Sequence, residues 1–181
     1  TLNEAVTEET TAVIHLAAVV SAGAETDFDQ GYRVNLSGLR ATLERCRALG
    51  TNPKFLFTSS LAVFGAVDKV DDNTATMPQS SYGTQKALGE LLVNDFSRKG
   101  YIQGRTLRLP TVVIRPGKPN AAASSFASGI LREPLAGEES ICPVSPDLAL
   151  WIASPASVTQ ALVHALDLDD QAFAPWRVLN V

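Results

Sequence analysis

Three short apolar runs constrain the fold of this chain more than any other feature of its sequence. They span residues 12–20, 53–60 and 106–114 and are rich in β-branched and aromatic side chains. Runs of this length and composition fit strands that are buried on both faces of a parallel sheet. Helical patterns separate the runs, and strands that alternate with helices imply right-handed βαβ crossovers. The sequence therefore predicts an α/β fold with a doubly wound parallel sheet.

The third run is interrupted by Pro110. Because proline is excluded from the middle of a sheet strand, we expect this strand to end near Leu109 and the chain to leave the sheet there. A short helix should open at Ser124 to Phe126, and another should follow Ser154 with Pro155 in its first turn. Further strands are predicted at residues 140–144, 149–152 and 176–181.

Two longer helices are predicted between the apolar runs. One spans residues 29–49 and ends at Gly50, a usual C-terminal signal. It contains Asn35, a mediocre helix former. This asparagine is either a solvent-facing residue or an amide that perturbs the helix and holds a water molecule. The other helix should begin at Ser80 or Ser81, with a buried stripe of Leu88, Leu91, Leu92 and Phe96.

Small and hydroxyl side chains follow the first two apolar runs. Ser21 comes after the first, and Thr58, Ser59 and Ser60 end the second. Ligands of open α/β sheets bind at the carboxyl ends of the strands, so these hydroxyls are candidates for ligand contacts. The alternative is that they cap the next turn. His15, inside the first run, fits a core histidine better than a catalyst.

Tyr82 and Lys86 stand four positions apart in the second predicted helix. Residues at this spacing lie on one helix face in consecutive turns. A lysine ammonium beneath a tyrosine favours the phenolate and brings the phenol, with an ordinary pKa of about 10, closer to use as a general base. A surface helix with one tyrosine and one lysine is the competing interpretation.

Composition excludes several classes of function. The net charge of −4 argues against nucleic acid and anionic membranes as main partners. The two cysteines, Cys46 and Cys142, form no metal-binding or redox motif, so we predict no metal and a cytoplasmic protein with reduced thiols. The chain has neither an apolar run of about 18 residues nor a signal peptide.

Five motifs in a fixed order resemble the extended short-chain dehydrogenase/reductase superfamily, the group of NAD-dependent epimerases and dehydratases. They are the segments at residues 15–18, 35–38, 58–65, 82–86 and 108–111. The resemblance covers nearly the whole chain. It implies a Rossmann-like sheet, a nicotinamide cofactor and an oxidoreductase mechanism.

The resemblance also implies roles for individual residues. Tyr82 matches the general acid/base, Lys86 its partner, Ser60 the active-site hydroxyl and Asn35 the helix asparagine that relays protons through a water. Cofactor contacts are implied for Leu16, Ala17, Ala18, Thr58, Ser59, Tyr82, Lys86, Pro110, Thr111, Val112 and Val113.

One departure from the family pattern is large. The glycine-rich turn that places a pyrophosphate on a helix N-terminus is absent, as is the acidic residue that reads the adenosine ribose. We therefore expect a fragment that lacks the N-terminal part of the dinucleotide-binding domain. Residues 1–115 would form the rest of that domain and residues 116–181 a small substrate-binding portion interleaved with the last strands. NAD is the implied cofactor, with NADP left open.

The segments at residues 17–21, 109–117 and 120–126 resemble the D-erythronate dehydrogenase branch. This implies oxidation of a small 2-hydroxy sugar acid in carbohydrate metabolism. Substrate contacts are expected from Ser21, Ser60, Tyr82, Ser124, Ser125 and Arg115. The alternatives are a sugar-nucleotide epimerase or dehydratase, such as a UDP-glucose 4-epimerase, and a non-catalytic dinucleotide-binding module. Family members often form homodimers through the two long helices, here those with Asn35 and Tyr82.

Overall fold

The computed structural model describes residues 1–114 and 124–181. Its elements, in chain order, are α1 (Leu2–Ala5), β1 (Ala12–His15), α2 (Ser21–Thr26), α3 (Phe28–Gly31), a π-helical segment (Tyr32–Gly38), α4 (Leu39–Leu49), β2 (Lys54–Ser60), a 3-10 turn (Leu61–Val63), α5 (Ser81–Arg98), β3 (Gln103–Leu109), β4 (Thr111–Val112), α6 (Ser125–Leu135), β5 (Ile152–Ala153), α7 (Pro155–Asp167), a second 3-10 turn (Asp170–Phe173) and β6 (Val178–Asn180). The predicted domain boundary, between residues 115 and 116, lies outside the described residues.

The main sheet, within the described residues, has four parallel strands in the order β1-β2-β3-β6. Helices α4 and α5 cover one face, where Leu39, Leu43, Phe55, Phe57 and Val93 form the larger core cluster. Helix α7 covers the other face, where Leu56 and Leu107 pack with Ala165 and Phe173. Helices on both faces of a parallel sheet confirm the predicted doubly wound, Rossmann-like α/β fold.

The first strand differs from its prediction. Among the described residues β1 pairs with β2 alone, and its side chains alternate between exposed and partly buried. Ile14 is 48% exposed, so the expected burial on both faces is wrong for β1 in this structure. β2 lies between β1 and β3 and is buried along most of its length, as predicted.

Pro110 ends the third strand as expected. β3 stops at Leu109, and the chain then pairs Thr111–Val112 with Ile152–Ala153 in a separate small sheet. The predicted strand at residues 140–144 is wrong, because this segment has no regular structure. The strand expected at residues 149–152 is shifted to β5.

The N-terminal cap of α5 is Ser80, whose hydroxyl accepts a hydrogen bond from the Gly83 N–H. The predicted buried stripe is only partly correct. Phe96 is buried, but Leu91 is 56% exposed, and the inward face carries Gln85, Lys86 and Glu90 instead. These polar residues face inward because their side chains bond to Asn35 and to groups of β2 and β3, as described below.

The helix predicted over residues 29–49 is present and ends at Gly50, which adopts a left-handed conformation with φ of 68°. Its first half is not a regular α-helix. Residues Tyr32–Gly38 are π-helical, and Asn35 within them is buried. Such π-helical insertions are rare and are frequent at functional sites.

Candidate functional site

A cleft of about 380 Å³ opens at the carboxyl ends of β1, β2 and β3. Most of the side chains that the sequence marked as candidate site residues line it. From the segment after β1 come Leu16, Ala18, Val20 and Ser21; from the end of β2 and the turn after it Thr58, Ser59, Ser60, Leu61 and Ala62; from α5 Tyr82 and Lys86; and from the last part of β3 and beyond Leu109, Pro110, Thr111, Val112 and Ser124.

Some candidates lie elsewhere. Among the described residues, Ala17, Asn35, Val113 and Ser125 are outside the lining of this cleft. Arg115, expected to contact a substrate, lies outside the described residues. The parallel register explains why the others meet: Thr58 and Ser60 align with Leu107 and Leu109, so consecutive strands end at the same edge.

Tyr82 lies beside Ser60 at the N-terminal end of α5. Burial raises the pKa of the Tyr82 phenol above its usual value, and a hydrogen bond with the Ser60 hydroxyl offsets part of this rise. The sequence predicted that Lys86 would lower this pKa. In the structure the pKa is raised instead, because burial is the largest cause and desolvation disfavours the phenolate.

Lys86 is almost fully buried, with 4% of its surface exposed. Its Nζ donates a hydrogen bond of 2.6 Å to the Thr58 carbonyl oxygen, and it lies 4.8 Å from the Phe57 ring centroid and 5.6 Å from that of Tyr82. Burial lowers the Lys86 pKa to about 8. The ammonium is therefore held between α5 and β2, close to both the strand end and the Tyr82 ring.

A buried ion pair, which sequence reasoning missed, lies behind the cleft. Arg108 donates two hydrogen bonds to Glu90, of 2.9 Å from Nε and 2.7 Å from Nη2, and Ser59 donates one of 2.5 Å to the same carboxylate. Glu90 follows Lys86 by one helical turn. The signal that could have revealed it is the continued four-residue spacing from Tyr82 through Lys86 to Glu90.

The Asn35 side chain bonds to the main chain of Val19. Among the described residues it forms no hydrogen bond with Lys86. Its Oδ1 accepts a hydrogen bond of 2.7 Å from the Val19 N–H. Its Nδ2 donates to the Val19 carbonyl oxygen at 2.9 Å and to Gln85 Oε1 at 2.7 Å. Sequence reasoning singled out Asn35 and missed Gln85.

A family model for the NAD dependent epimerase/dehydratase family matches residues 1–180. The chain belongs to this family. It is 57% identical to a D-erythronate dehydrogenase of Cupriavidus necator and 52% identical to one of Haemophilus influenzae, in each case over 99% of this chain and 56% or 58% of the relative. The chain thus spans a little over half the length of these curated relatives.

A solved structure from Agrobacterium tumefaciens described as a nucleoside-diphosphate-sugar epimerase superposes with a TM-score of 0.90. It is 48% identical, and the match covers 94% of this chain and 52% of that one. The resemblance to the epimerase/dehydratase group and to D-erythronate dehydrogenases, predicted from the motifs, is confirmed by these similarities.

The residues of the cleft fit the nicotinamide end of the family's dinucleotide. Ala18 offers a small side chain for close approach to the backbone, Ser60 offers a hydroxyl, and Lys86 has donor capacity beyond its bond to Thr58, since an ammonium carries three N–H groups. The first glycine of the chain is Gly23, after β1, so the described residues contain no glycine-rich turn for a pyrophosphate.

His15 differs from the expected satisfied core histidine. Its Nε2 is buried without a hydrogen-bond partner among the described residues, and its ring lies 6.1 Å from both Phe55 and Phe57. Burial, aided by the positive charge of Lys86, lowers the His15 pKa to about 4. The imidazole is therefore neutral at physiological pH.

The described part of the chain contains no group of three or more histidine, cysteine, aspartate or glutamate side chains placed to hold a metal ion. Within the same residues, no helix is long and apolar enough to cross a membrane. Cys46 is buried in α4 and Cys142 is exposed, and both are free thiols.

Proposed function

We propose that the whole protein is an NAD-dependent dehydrogenase that oxidises a small 2-hydroxy sugar acid of the D-erythronate type. The observation that carries the proposal is the meeting of Ser60, Tyr82 and Lys86 in one cleft at the carboxyl edge of the sheet. The identity of 57% to a D-erythronate dehydrogenase supports this choice of substrate class.

The proposed reaction converts a secondary alcohol into a ketone. The Tyr82 phenolate accepts the hydroxyl proton while the carbinol C–H bond breaks and its hydrogen leaves as a hydride with both electrons. Ser60 Oγ donates a hydrogen bond to the reacting oxygen and holds it beside the phenol. Lys86 supplies positive charge that favours the phenolate as the proton moves.

NAD, when bound, supplies the hydride acceptor. The residues that would hold it come from the segment after β1, the end of β2 and the segment that follows β3; NADP is the alternative. They are Leu16, Ala17, Ala18, Thr58, Ser59, Pro110, Thr111, Val112 and Val113. For the substrate, Ser21 and Ser124 present hydroxyls to the cleft, and we assign further contacts to Ser125 and Arg115.

A second candidate function is sugar-nucleotide epimerisation or dehydration with no net redox change. The observation that favours it is the 48% identity to the structure described as a nucleoside-diphosphate-sugar epimerase. Incubation with D-erythronate and NAD, followed by NADH absorbance, separates the two: a dehydrogenase accumulates NADH, whereas an epimerase interconverts UDP-sugars without releasing it. A non-catalytic dinucleotide-binding module would do neither.

Substitution of Tyr82 by Phe in the whole protein tests the mechanism. It removes the proton acceptor and keeps the ring, so turnover should fall by at least about a thousandfold while NAD affinity stays within about twofold of wild type. Tyr101→Phe is the matched control, because this tyrosine packs on Phe96 just before β3, at the opposite edge of the sheet. Retained turnover in Tyr82→Phe would remove the phenol from the mechanism.

We also propose a cytoplasmic homodimer that packs through the helices bearing Asn35 and Tyr82. Leu91 supports this packing, because it is an apolar side chain of α5 that is 56% exposed in the single chain. Sedimentation velocity on the whole protein is the direct measurement.

A further inference from the structure

We propose that Gln85 is a positioning residue of the cleft: through the Asn35 amide it fixes the main chain at Val19, and with it the cofactor-facing wall at residues 16–21. Gln85 contacts neither the proposed substrate nor the reacting atoms. The inference rests on the proposed function for what binds to this wall, and on the hydrogen bonds of the described residues for the positioning itself.

The hydrogen-bonding capacity of Asn35 is almost fully used. A carboxamide has two N–H donors, and those of Asn35 go to the Val19 carbonyl oxygen and to Gln85 Oε1. Its oxygen accepts from the Val19 N–H. No N–H of this side chain remains for a relay water, so its geometry is that of a clamp on the backbone.

Gln85 accepts the remaining N–H of this clamp. Gln85 is fully buried, and its Oε1 accepts from Asn35 while its Nε2 has no partner in the described part of the chain. A rotation of the Asn35 amide by half a turn would place its oxygen against Gln85 Oε1 and break all three bonds. The orientation in which Asn35 holds both main-chain groups of Val19 is therefore also the one in which it donates to Gln85 Oε1, so the glutamine acceptor adds a third bond to the clamp.

Two features of the neighbouring helix make room for this arrangement. Asn35 lies in the π-helical segment, in which backbone hydrogen bonds join residues five apart. In α4, the regular helix that follows, they join residues four apart. Gly31 lies against the Gln85 amide, and a Cβ at this position would come within 2.8 Å of Gln85 Nε2. Gly31→Ala thus presses on the Gln85 amide without changing either member of the hydrogen-bonded pair, and its Cβ would also lie 3.1 Å from Ala24 Cβ in α2.

The wall that the clamp holds has little other support from the sheet. β1 pairs with β2 only as far as His15, so the main chain from Leu16 to Val20 is beyond the ladder. Leu16, Ala18, Val20 and Ser21 line the cleft, and Val19 between them is tied to Asn35. Because Gln85 precedes Lys86 on α5, the clamp joins this wall directly to the helix that carries the proposed catalytic pair.

Loss of the clamp should weaken binding and spare the chemical step. Lys86 is held separately by the Thr58 carbonyl oxygen, and Tyr82 lies in the cleft with Ser60. Neither contact passes through Asn35. A wall that moves more freely lowers the affinity for whatever lies against it, which raises KM. A role of Asn35 and Gln85 in a proton relay would instead lower kcat and alter its pH profile.

The test compares Gln85→Met, Gln85→Glu and Gly31→Ala in the whole protein, with Gln160→Met on the exposed face of α7 as the matched control. Met removes the acceptor at similar size, whereas Glu keeps it. In protein without NAD, amide hydrogen exchange of the peptide spanning residues 16–21 should rise by about tenfold in Gln85→Met and Gly31→Ala, and less in Gln85→Glu.

With NAD and D-erythronate, KM for NAD should rise by about tenfold in Gln85→Met, with kcat within about twofold of wild type. The expected order of KM is wild type and Gln160→Met lowest, then Gln85→Glu, then Gln85→Met. Unchanged exchange at residues 16–21 in both Gln85→Met and Gly31→Ala would overturn the proposal. So would a fall in kcat with a shifted pH profile and constant KM. A wild-type protein without turnover would refute the proposed function alone, since the exchange measurement still decides the positioning.

Discussion

Lys86 should make the folding stability of the protein rise with pH above neutrality. Its ammonium is buried at 4% exposure, and burial lowers its pKa from 10.5 to about 8. Because the folded pKa lies below the unfolded one, the unfolded chain binds more protons between these values. The free energy of unfolding therefore increases with pH in this window.

The size of the effect follows from the pKa difference. At 1.36 kcal/mol per pKa unit, the full shift corresponds to about 3 kcal/mol, of which about 2 kcal/mol should be recovered between about pH 7 and about pH 9.5. The upper limit stays below the raised pKa of Tyr82, so that the phenol does not titrate in the same range. Only the lysine then contributes to the difference between wild type and a variant that lacks it.

Lys86→Met removes the titration and keeps an unbranched side chain of similar length. Urea unfolding of wild type and Lys86→Met across this pH range, without NAD, should show wild type gaining about 2 kcal/mol on the variant as pH rises. Lys99→Met, an exposed lysine at the end of the same helix, should follow wild type throughout. A difference between wild type and Lys86→Met that does not change with pH would refute the assignment of a buried, destabilised ammonium.

Two further predictions concern the packing that supports the site. Arg108→Met leaves the Glu90 carboxylate buried without its cation, so the free energy of unfolding should fall by about 3–5 kcal/mol. In urea unfolding, a Glu90→Leu/Arg108→Met double variant should recover most of this loss. A double variant as unstable as Arg108→Met would contradict the prediction. Gly104→Ala should cost about 1–3 kcal/mol, because its Cβ would lie 2.1 Å from Ser97 Oγ and 2.7 Å from Val93 Cγ1. Adding Ser97→Ala should relieve part of that cost, and strictly additive losses would argue against the clash.

Residues with a strong local preference allowed much of the fold to be predicted. Pro110 could end β3 on sequence grounds because it lacks the N–H that a ladder requires. Ser80 and Ser154 cap helices because their side-chain oxygens satisfy free N–H groups. Gly50 ends α4 because a left-handed residue favours glycine. Each of these effects acts within a few residues of the chain.

Features that depend on distant partners escaped prediction. Leu91 was expected in the core, but Lys86 and Glu90 occupy the inward face of α5. They do so because they form hydrogen bonds there with Thr58, Ser59 and Arg108. Asn35 in the π-helical segment likewise bonds to Val19 and Gln85, which are 16 and 50 residues away in the sequence. The predicted strand at residues 140–144 failed for the opposite reason, since its apolar residues found no partner strand among the described residues.

The candidate site also combines features that the sequence could predict with features that depend on distant partners. The roles of Ser60, Tyr82 and Lys86 came from resemblance to a family, and the structure adds that the three lie in one cleft. It also reverses the expected direction of the Tyr82 pKa, which burial raises. Burial is a property of the assembled fold, so a helical spacing of four residues could not supply that sign.

The separation of β4 and β5 from the main sheet has a consequence for how new specificities arise. Thr111 and Val112 line the cleft, yet their strand pairs with Ile152–Ala153 and not with the sheet that carries Tyr82's supporting partners. Mutations on this small two-stranded unit can reshape one wall of the cleft while the register of the large sheet stays fixed. Under the proposed function, a lineage could thus retune the fit of whatever lies against Thr111 and Val112 without moving Ser60, Tyr82 or Lys86.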